Sequence, residues 1–167
     1  MAIIISHSAL ISDSTTDSQD GISTDSQDGI SYDALWETLL RKAEYPVDYV
    51  AQISECRIVE RYPDGFLREA VFFGKDIVRE RVTPRRDRWR IDFEVLDDPR
   101  FTAVINELDQ DPEGRFRYTV SVVLSERSAQ RITEVEGLLA ETDAGVLETA
   151  RQTAETLRKV TLGTAAA

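Results

Sequence analysis

Apolar and polar positions alternate along six runs between Ser54 and Leu124: Ser54–Tyr62, Phe66–Phe73, Lys75–Val82, Arg88–Leu96, Phe101–Leu108 and Gly114–Leu124. A period of two sets one face of a strand against a core and the other in water. Turn-forming residues separate the runs: Pro63-Asp64-Gly65, Gly74-Lys75, Pro84 to Asp87, Asp97-Asp98-Pro99 and Asp109 to Gly114. The spacing predicts an antiparallel meander. Ile3–Ile11 is apolar enough to add a seventh strand ahead of it.

Three segments follow a helical period instead. Ser31 can cap a helix over Tyr32–Ala43, with Asp33 in its first turn and Leu35, Trp36, Leu39 and Leu40 on one face. Pro46 permits a second short helical turn over Val47–Gln52. At the C-terminal end, Thr133-x-x-Glu136 reads as a capping box. Val135, Leu138, Leu139, Thr142, Val146, Ala150, Thr153, Leu157 and Val160 then form an apolar stripe, with Gly163 as a stop. A helix over residues 134–160 spans about 40 Å, enough to lie across a whole sheet. Gly145, Ala150 and Ala154 keep it thin, and a ligand or the sheet approaching Gly145 would explain that glycine; Gly137 reads as slack. One helix cannot cover six or seven curved strands completely, so the pattern also predicts an internal cavity.

The 167 residues suit one domain, 1–167. Within it, residues 12–31 hold a tandem octapeptide, Thr16-Asp17-Ser18-Gln19-Asp20-Gly21-Ile22-Ser23 repeated as Thr24 to Ser31. Residues 1–31 contain no Lys or Arg, and the segment reads as an acidic, mobile loop. Its Asp-Gln-Asp-Gly spacing invites a calcium reading, but no bidentate Glu follows where such a loop needs one.

Net charge changes the picture most. Twenty basic against 31 acidic residues leave −11, which argues against nucleic acid and against anionic membranes as partners. One histidine, His7, and one cysteine, Cys56, exclude an intrachain disulfide and a four-ligand zinc site. His7 reads as an exposed strand residue. No run reaches the length of a membrane span, and Ala2–Ile5 lacks the basic start of a signal peptide, so the expected compartment is the cytoplasm.

Particular residues carry a resemblance. Leu35-Trp36-x-x-Leu39-x-x-Lys42-Ala43-x-x-Pro46 is followed by Glu55-Cys56-Arg57-Ile58-Val59-Glu60-Arg61-Tyr62, Asp64-Gly65-Phe66-Leu67-Arg68-Glu69, Val78-Arg79-Glu80-Arg81-Val82 and Asn106-Glu107. In order and spacing this is similar to the AtaL-like family of the START-like (SRPBCC, Bet v 1-like, helix-grip) superfamily, over about Ser31 to Leu124. The resemblance implies an α+β helix-grip fold. In it a seven-stranded curved antiparallel sheet wraps a long C-terminal helix, with two short helices after the first strand. It also implies a lidded pocket for a small hydrophobic organic ligand. The doubled octapeptide departs from the family pattern by lengthening the first strand-to-helix connection.

With one His and one Cys, acid–base chemistry falls to Asp, Glu, Tyr, Lys or Arg. The strands carry two charged clusters, Arg68-Glu69 and Arg79-Glu80-Arg81. Neighbours in a strand face opposite sides, so some member of each cluster points inward. Glu69 or Glu80 is then the candidate base, with Arg68, Arg79 or Arg81 stabilising negative charge. A register-fixing Arg–Glu pair is the bland alternative. Trp36, Trp89, Phe93, Phe116 and Tyr118 fit the inner face as ligand stackers or as plain core. Asn106 sits where strands disfavour Asn, Cys56 faces inward, and Val146 belongs to the helix over the cavity. Arg85, Arg86, Arg88 and Arg90 form a basic patch that reads as a solvated hairpin or as a dock for an acidic carrier protein.

Three functions remain open. The first is a cofactor-independent cyclase or related enzyme of specialised, polyketide- or peptide-type metabolism. The second is a non-catalytic carrier of a lipid or pathway intermediate. The third is an interaction module using the acidic segment. No metal or cofactor is expected, and both monomer and dimer fit.

Overall fold

The computed structural model describes residues 3–11 and 30–165. The octapeptide repeat, up to residue 29, lies outside the described residues. β1 (Ile4–Leu10) precedes α1 (Tyr32–Glu44) and a 3₁₀ turn at Pro46–Asp48. The meander follows as β2 (Ile53–Tyr62), β3 (Gly65–Phe72), β4 (Asp76–Arg85), β5 (Arg90–Val95), β6 (Phe101–Gln110) and β7 (Phe116–Leu124). α2 (Glu126–Glu134) and α3 (Leu138–Ala165) complete the chain. The seven strands form one antiparallel sheet in the order β1-β7-β6-β5-β4-β3-β2, with α1 and α3 against its inner face. No described helix is long and apolar enough to cross a membrane.

The alternation translates into burial. On β3, Phe66, Arg68 and Ala70 are buried while Leu67, Glu69 and Val71 are only partly so; on β4 the buried set is Val78, Glu80 and Val82. Ser31 caps α1 by accepting from the Ala34 amide at 3.1 Å, and Leu35, Trp36, Leu39 and Ala43 bury its inner face. Gly65 marks a close approach of chains: a Cβ there would sit 1.9 Å from the Val82 carbonyl oxygen.

Several expectations are corrected. The predicted single helix over 134–160 begins earlier and is broken. Ser125 is the first cap, accepting from the Ser128 amide at 3.1 Å, so Thr133 lies in the last turn of α2 and donates to the Gln130 carbonyl instead of forming a capping box. The break comes at Val135–Gly137, where Gly137 takes φ +80°, a conformation that favours glycine. Gly137 is therefore the joint between two helices. Val135 and Leu139, predicted in the stripe, are exposed. Gly163 does not stop α3, which continues to Ala165. The turn after α1 is shorter than Val47–Gln52. The fifth strand starts at Arg90 because Arg86–Arg88 form a 3₁₀ turn and Trp89 is left-handed at φ +50°. His7 is half-buried, not exposed: its Nε2 lies 2.9 Å from Asp143 Oδ1 and ties β1 to α3.

Candidate active site

Strand pairing decides which charged residues face inward. Arg68 of β3 stands directly opposite Glu80 of β4, and both are buried. Arg68 Nε and Nη2 donate to the same oxygen, Glu80 Oε1, at 3.1 and 2.9 Å. The remaining Nη1 donates to the Ala43 carbonyl at 2.8 Å, in the last turn of α1, where helix carbonyls lack intrahelical partners. The guanidinium also lies 4.7 Å from the Phe93 ring centroid.

The other members of the two clusters face outward, which corrects their candidacy as site residues. Glu69 accepts from Arg57 and Arg79 on the outer face at 3.3 and 3.4 Å, and the Arg57 hydrogen bond leads in holding its carboxyl below the usual range. Arg81 donates to Asp64 at 3.0 Å and lies over the Tyr62 ring. The basic patch is largely matched by carboxylates, Arg85 and Arg90 by Asp92 and Arg86 by Asp33.

Behind the Arg68–Glu80 pair lies a residue the sequence reading did not single out for chemistry. Lys42, on the inner face of α1, is buried and donates from Nζ to Asn106 Oδ1 at 3.0 Å. Burial, reinforced by the positive charge of Arg68, lowers its pKa from 10.5 to about 7, against a smaller opposing pull from Glu80. The signal was present: 35, 38, 39 and 42 share one helical face, so a lysine closes an otherwise buried stripe. Asn106 owes its strand position to this lysine. Cys56, opposite Ala70, is half-buried, and burial raises its thiol pKa. The Tyr118 hydroxyl pairs with Thr153 and is pushed up by burial.

Between the concave sheet and the N-terminal half of α3 lies a cavity of about 410 Å³. Its walls include Val78, Val95, Val104, Val120 and Val122 of the sheet and Val146 of α3. Gly145 lines it too, and a Cβ there would meet nothing within 4 Å, so open space rather than a close approach surrounds this glycine. Three charged side chains reach the lining: Glu80, Asp98 and Arg100. Asp98 and Arg100 match one another through two bonds of 3.0 and 2.8 Å, and this pairing depresses the Asp98 pKa. Glu80 presents a carboxylate whose partner, Arg68, does not line the cavity. Both Arg68 bonds fall on Oε1, so Oε2 is the oxygen left for a ligand.

Of the sequence candidates, Glu80 and Val146 line the cavity. Trp36, Trp89 and Phe116 do not. They gather around Tyr32, with Tyr32 and Trp89 stacked at 4.8 Å, and serve as core. Phe93 and Tyr118 pack beside Lys42, Asn106 holds it, and Cys56 likewise stays off the lining.

A model of the family described as "Acetylaranotin biosynthesis cluster protein L", AtaL, matches residues 20–162. No curated protein matches the chain. Among solved structures, the Zhui aromatase/cyclase from Streptomyces sp. R1128 aligns with TM-score 0.57 at 15% identity, covering 99% of this chain and 94% of that one. Ara h 8.0201 aligns with TM-score 0.53 at 12% identity, covering 98% and 99%. At these identities the likeness is one of fold, the Bet v 1-like arrangement of a curved seven-stranded sheet and a long C-terminal helix.

Proposed function

The chain belongs to the AtaL family, and on that premise we propose that its cavity takes up a small, mostly apolar biosynthetic intermediate on which Glu80 moves a proton. The observation that carries this reading is a carboxylate, held by Arg68 from behind, on the wall of a mostly apolar cavity whose other two charged residues, Asp98 and Arg100, pair with each other. The family's description as a biosynthesis-cluster protein and the fold shared with an aromatase/cyclase support a cyclase-type reaction.

Glu80 Oε2 accepts the proton of a C–H bond flanked by carbonyl groups, leaving an enolate. The enolate carbon attacks a further, non-adjacent carbonyl of the same molecule, whose C=O π bond breaks as the ring bond forms. The resulting alkoxide takes the proton back from Glu80. Charge and atoms balance, and no oxidant or cofactor enters the cycle. Arg68 holds Oε1, so the carboxylate offers one defined oxygen, and the valine walls hold the chain folded for ring closure.

The test uses 2-tetralone in D₂O, with NMR following α-proton exchange. The wild-type protein is expected to exceed the buffer rate, and Glu80→Gln to lose about 10²–10⁴ of the excess while binding the ketone equally well. Binding without any exchange above buffer in the wild type would instead favour a carrier of pathway intermediates.

A further inference from the structure

A second chamber of about 150 Å³ adjoins the main cavity, and Arg100, Phe101 and Thr142 line both. α2 supplies Ser128 and Arg131 to the side chamber, and Leu138 opens α3 beside it. Two guanidinium groups border this space and no carboxylate lines it.

Of these two arginines, Arg100 is paired with Asp98 and Arg131, on α2, is not. Arg57, Arg68, Arg79 and Arg81 each meet a carboxylate. Arg131 forms no ion pair or side-chain hydrogen bond with any described residue, although the chain carries a net charge of −11. Arg100 commits Nε and Nη2 to Asp98, which leaves Nη1 uncommitted, and its guanidinium lies 5.2 Å from the Phe101 ring centroid. Arg131 is exposed to solvent, as other unpaired arginines of the chain are, but it alone of those lines this pocket beside Arg100, where its charge can meet an anion that arrives with a ligand. Arginine suits a carboxylate, because its planar fork matches both oxygens.

We propose that the side chamber binds the carboxylate of an amphipathic organic acid whose apolar body fills the main cavity. This rests on the reading of the main cavity as a ligand site and names the substrate class for it. Anchoring one end between Arg100 and Arg131 fixes which carbon of the body lies against Glu80. Recognition of the acid and proton transfer thus come from two adjoining pockets that share Arg100, Phe101 and Thr142.

The experiment compares two fluorescent probes with the same aromatic skeleton. 8-Anilinonaphthalene-1-sulfonate carries an anion in place of the carboxylate, and N-phenyl-1-naphthylamine is neutral. Arg131→Gln removes no ion pair or side-chain hydrogen bond within the described structure, so the fold is expected to stand. The variant is expected to bind the sulfonate about tenfold more weakly and the neutral probe unchanged, and added salt is expected to weaken only the sulfonate in the wild type. Millimolar inorganic phosphate, which lacks an apolar body, is expected not to displace the sulfonate probe. Equal effects on both probes, or none on the sulfonate, would overturn the proposal while leaving the main cavity intact. Displacement by phosphate would overturn it in favour of a free-anion site. Failure of the neutral probe to bind the wild type would remove the cavity reading itself, and with it the proposed function.

Discussion

Lys42→Met tests the energetic account of the buried charges. In the folded protein Lys42 titrates at about 7 against 10.5 for a free lysine. Below pH 7 both folded and unfolded chains carry the proton, and the fold bears the full cost of burying it. Between 7 and 10.5 only the unfolded chain still holds the proton, so stability rises with pH. Above 10.5 neither does, and the cost is gone. The separation of these values is worth about 5 kcal/mol at low pH, of which about 2 kcal/mol is regained between pH 7 and 9. Removing the amine leaves Asn106 Oδ1 without its donor, a penalty of about 1–3 kcal/mol that does not depend on pH. Lys42→Met is therefore expected to match or exceed wild-type stability at pH 7 and to show no comparable rise by pH 9. Urea unfolding at pH 7, 8 and 9, followed through the fluorescence of Trp36 and Trp89, reads both profiles. Tyrosine and cysteine titrations are common to the two proteins and cancel in the comparison. Parallel profiles would refute the claim that burial holds this amine near neutrality.

Two further outcomes follow from the packing. Arg68→Met strands the Glu80 carboxylate in the interior and is expected to cost about 3–5 kcal/mol, whereas the double change Arg68→Met with Glu80→Leu is expected to recover most of it; denaturant midpoints of the three proteins check the pattern. Gly65→Ala places a methyl group 1.9 Å from the Val82 carbonyl oxygen, so β3 and β4 must separate locally. A loss of about 2 kcal/mol or more, read as a lower thermal midpoint, is expected, and an unchanged midpoint would show that the hairpin gives way freely.

The sheet was legible because alternation is a local property of each strand. Six runs and five turns are enough to trace it, but ends shift: β4 runs on through Pro84, read as a turn, to Arg85, and left-handed Trp89 delays the start of β5. The broken C-terminal helix was not legible in the same way. The stripe from Leu138 to Val160 carries no mark of the joint except Gly137, and Ser125, the true first cap, precedes a nine-residue helix with few apolar residues. The site was half legible. Alternation within Arg68-Glu69 and Arg79-Glu80-Arg81 guarantees that something charged points inward, but the phase depends on pairing across strands, which a single bulge reverses. Pairing selects Arg68 and Glu80. Lys42 is not legible as a site residue from its own segment, because its partner Asn106 lies 64 residues further along the chain. The aromatic candidates alternate correctly, yet inward-facing is not the same as cavity-lining: the cavity lies under the other end of the sheet.

The charged pair and the rim of the cavity come from different kinds of structure. Arg68, Glu80, Lys42 and Asn106 sit on strands and on α1, locked to one another and to the Ala43 carbonyl. Phe73, Asp98 and Arg100, by contrast, stand on the β3–β4 turn and the β5–β6 connection. Connections accept substitution and insertion far more readily than a buried ion pair does. Substitutions in those connections would reshape what the cavity admits without touching the Arg68–Glu80 pair, so under the proposed function selectivity and proton transfer can be altered separately.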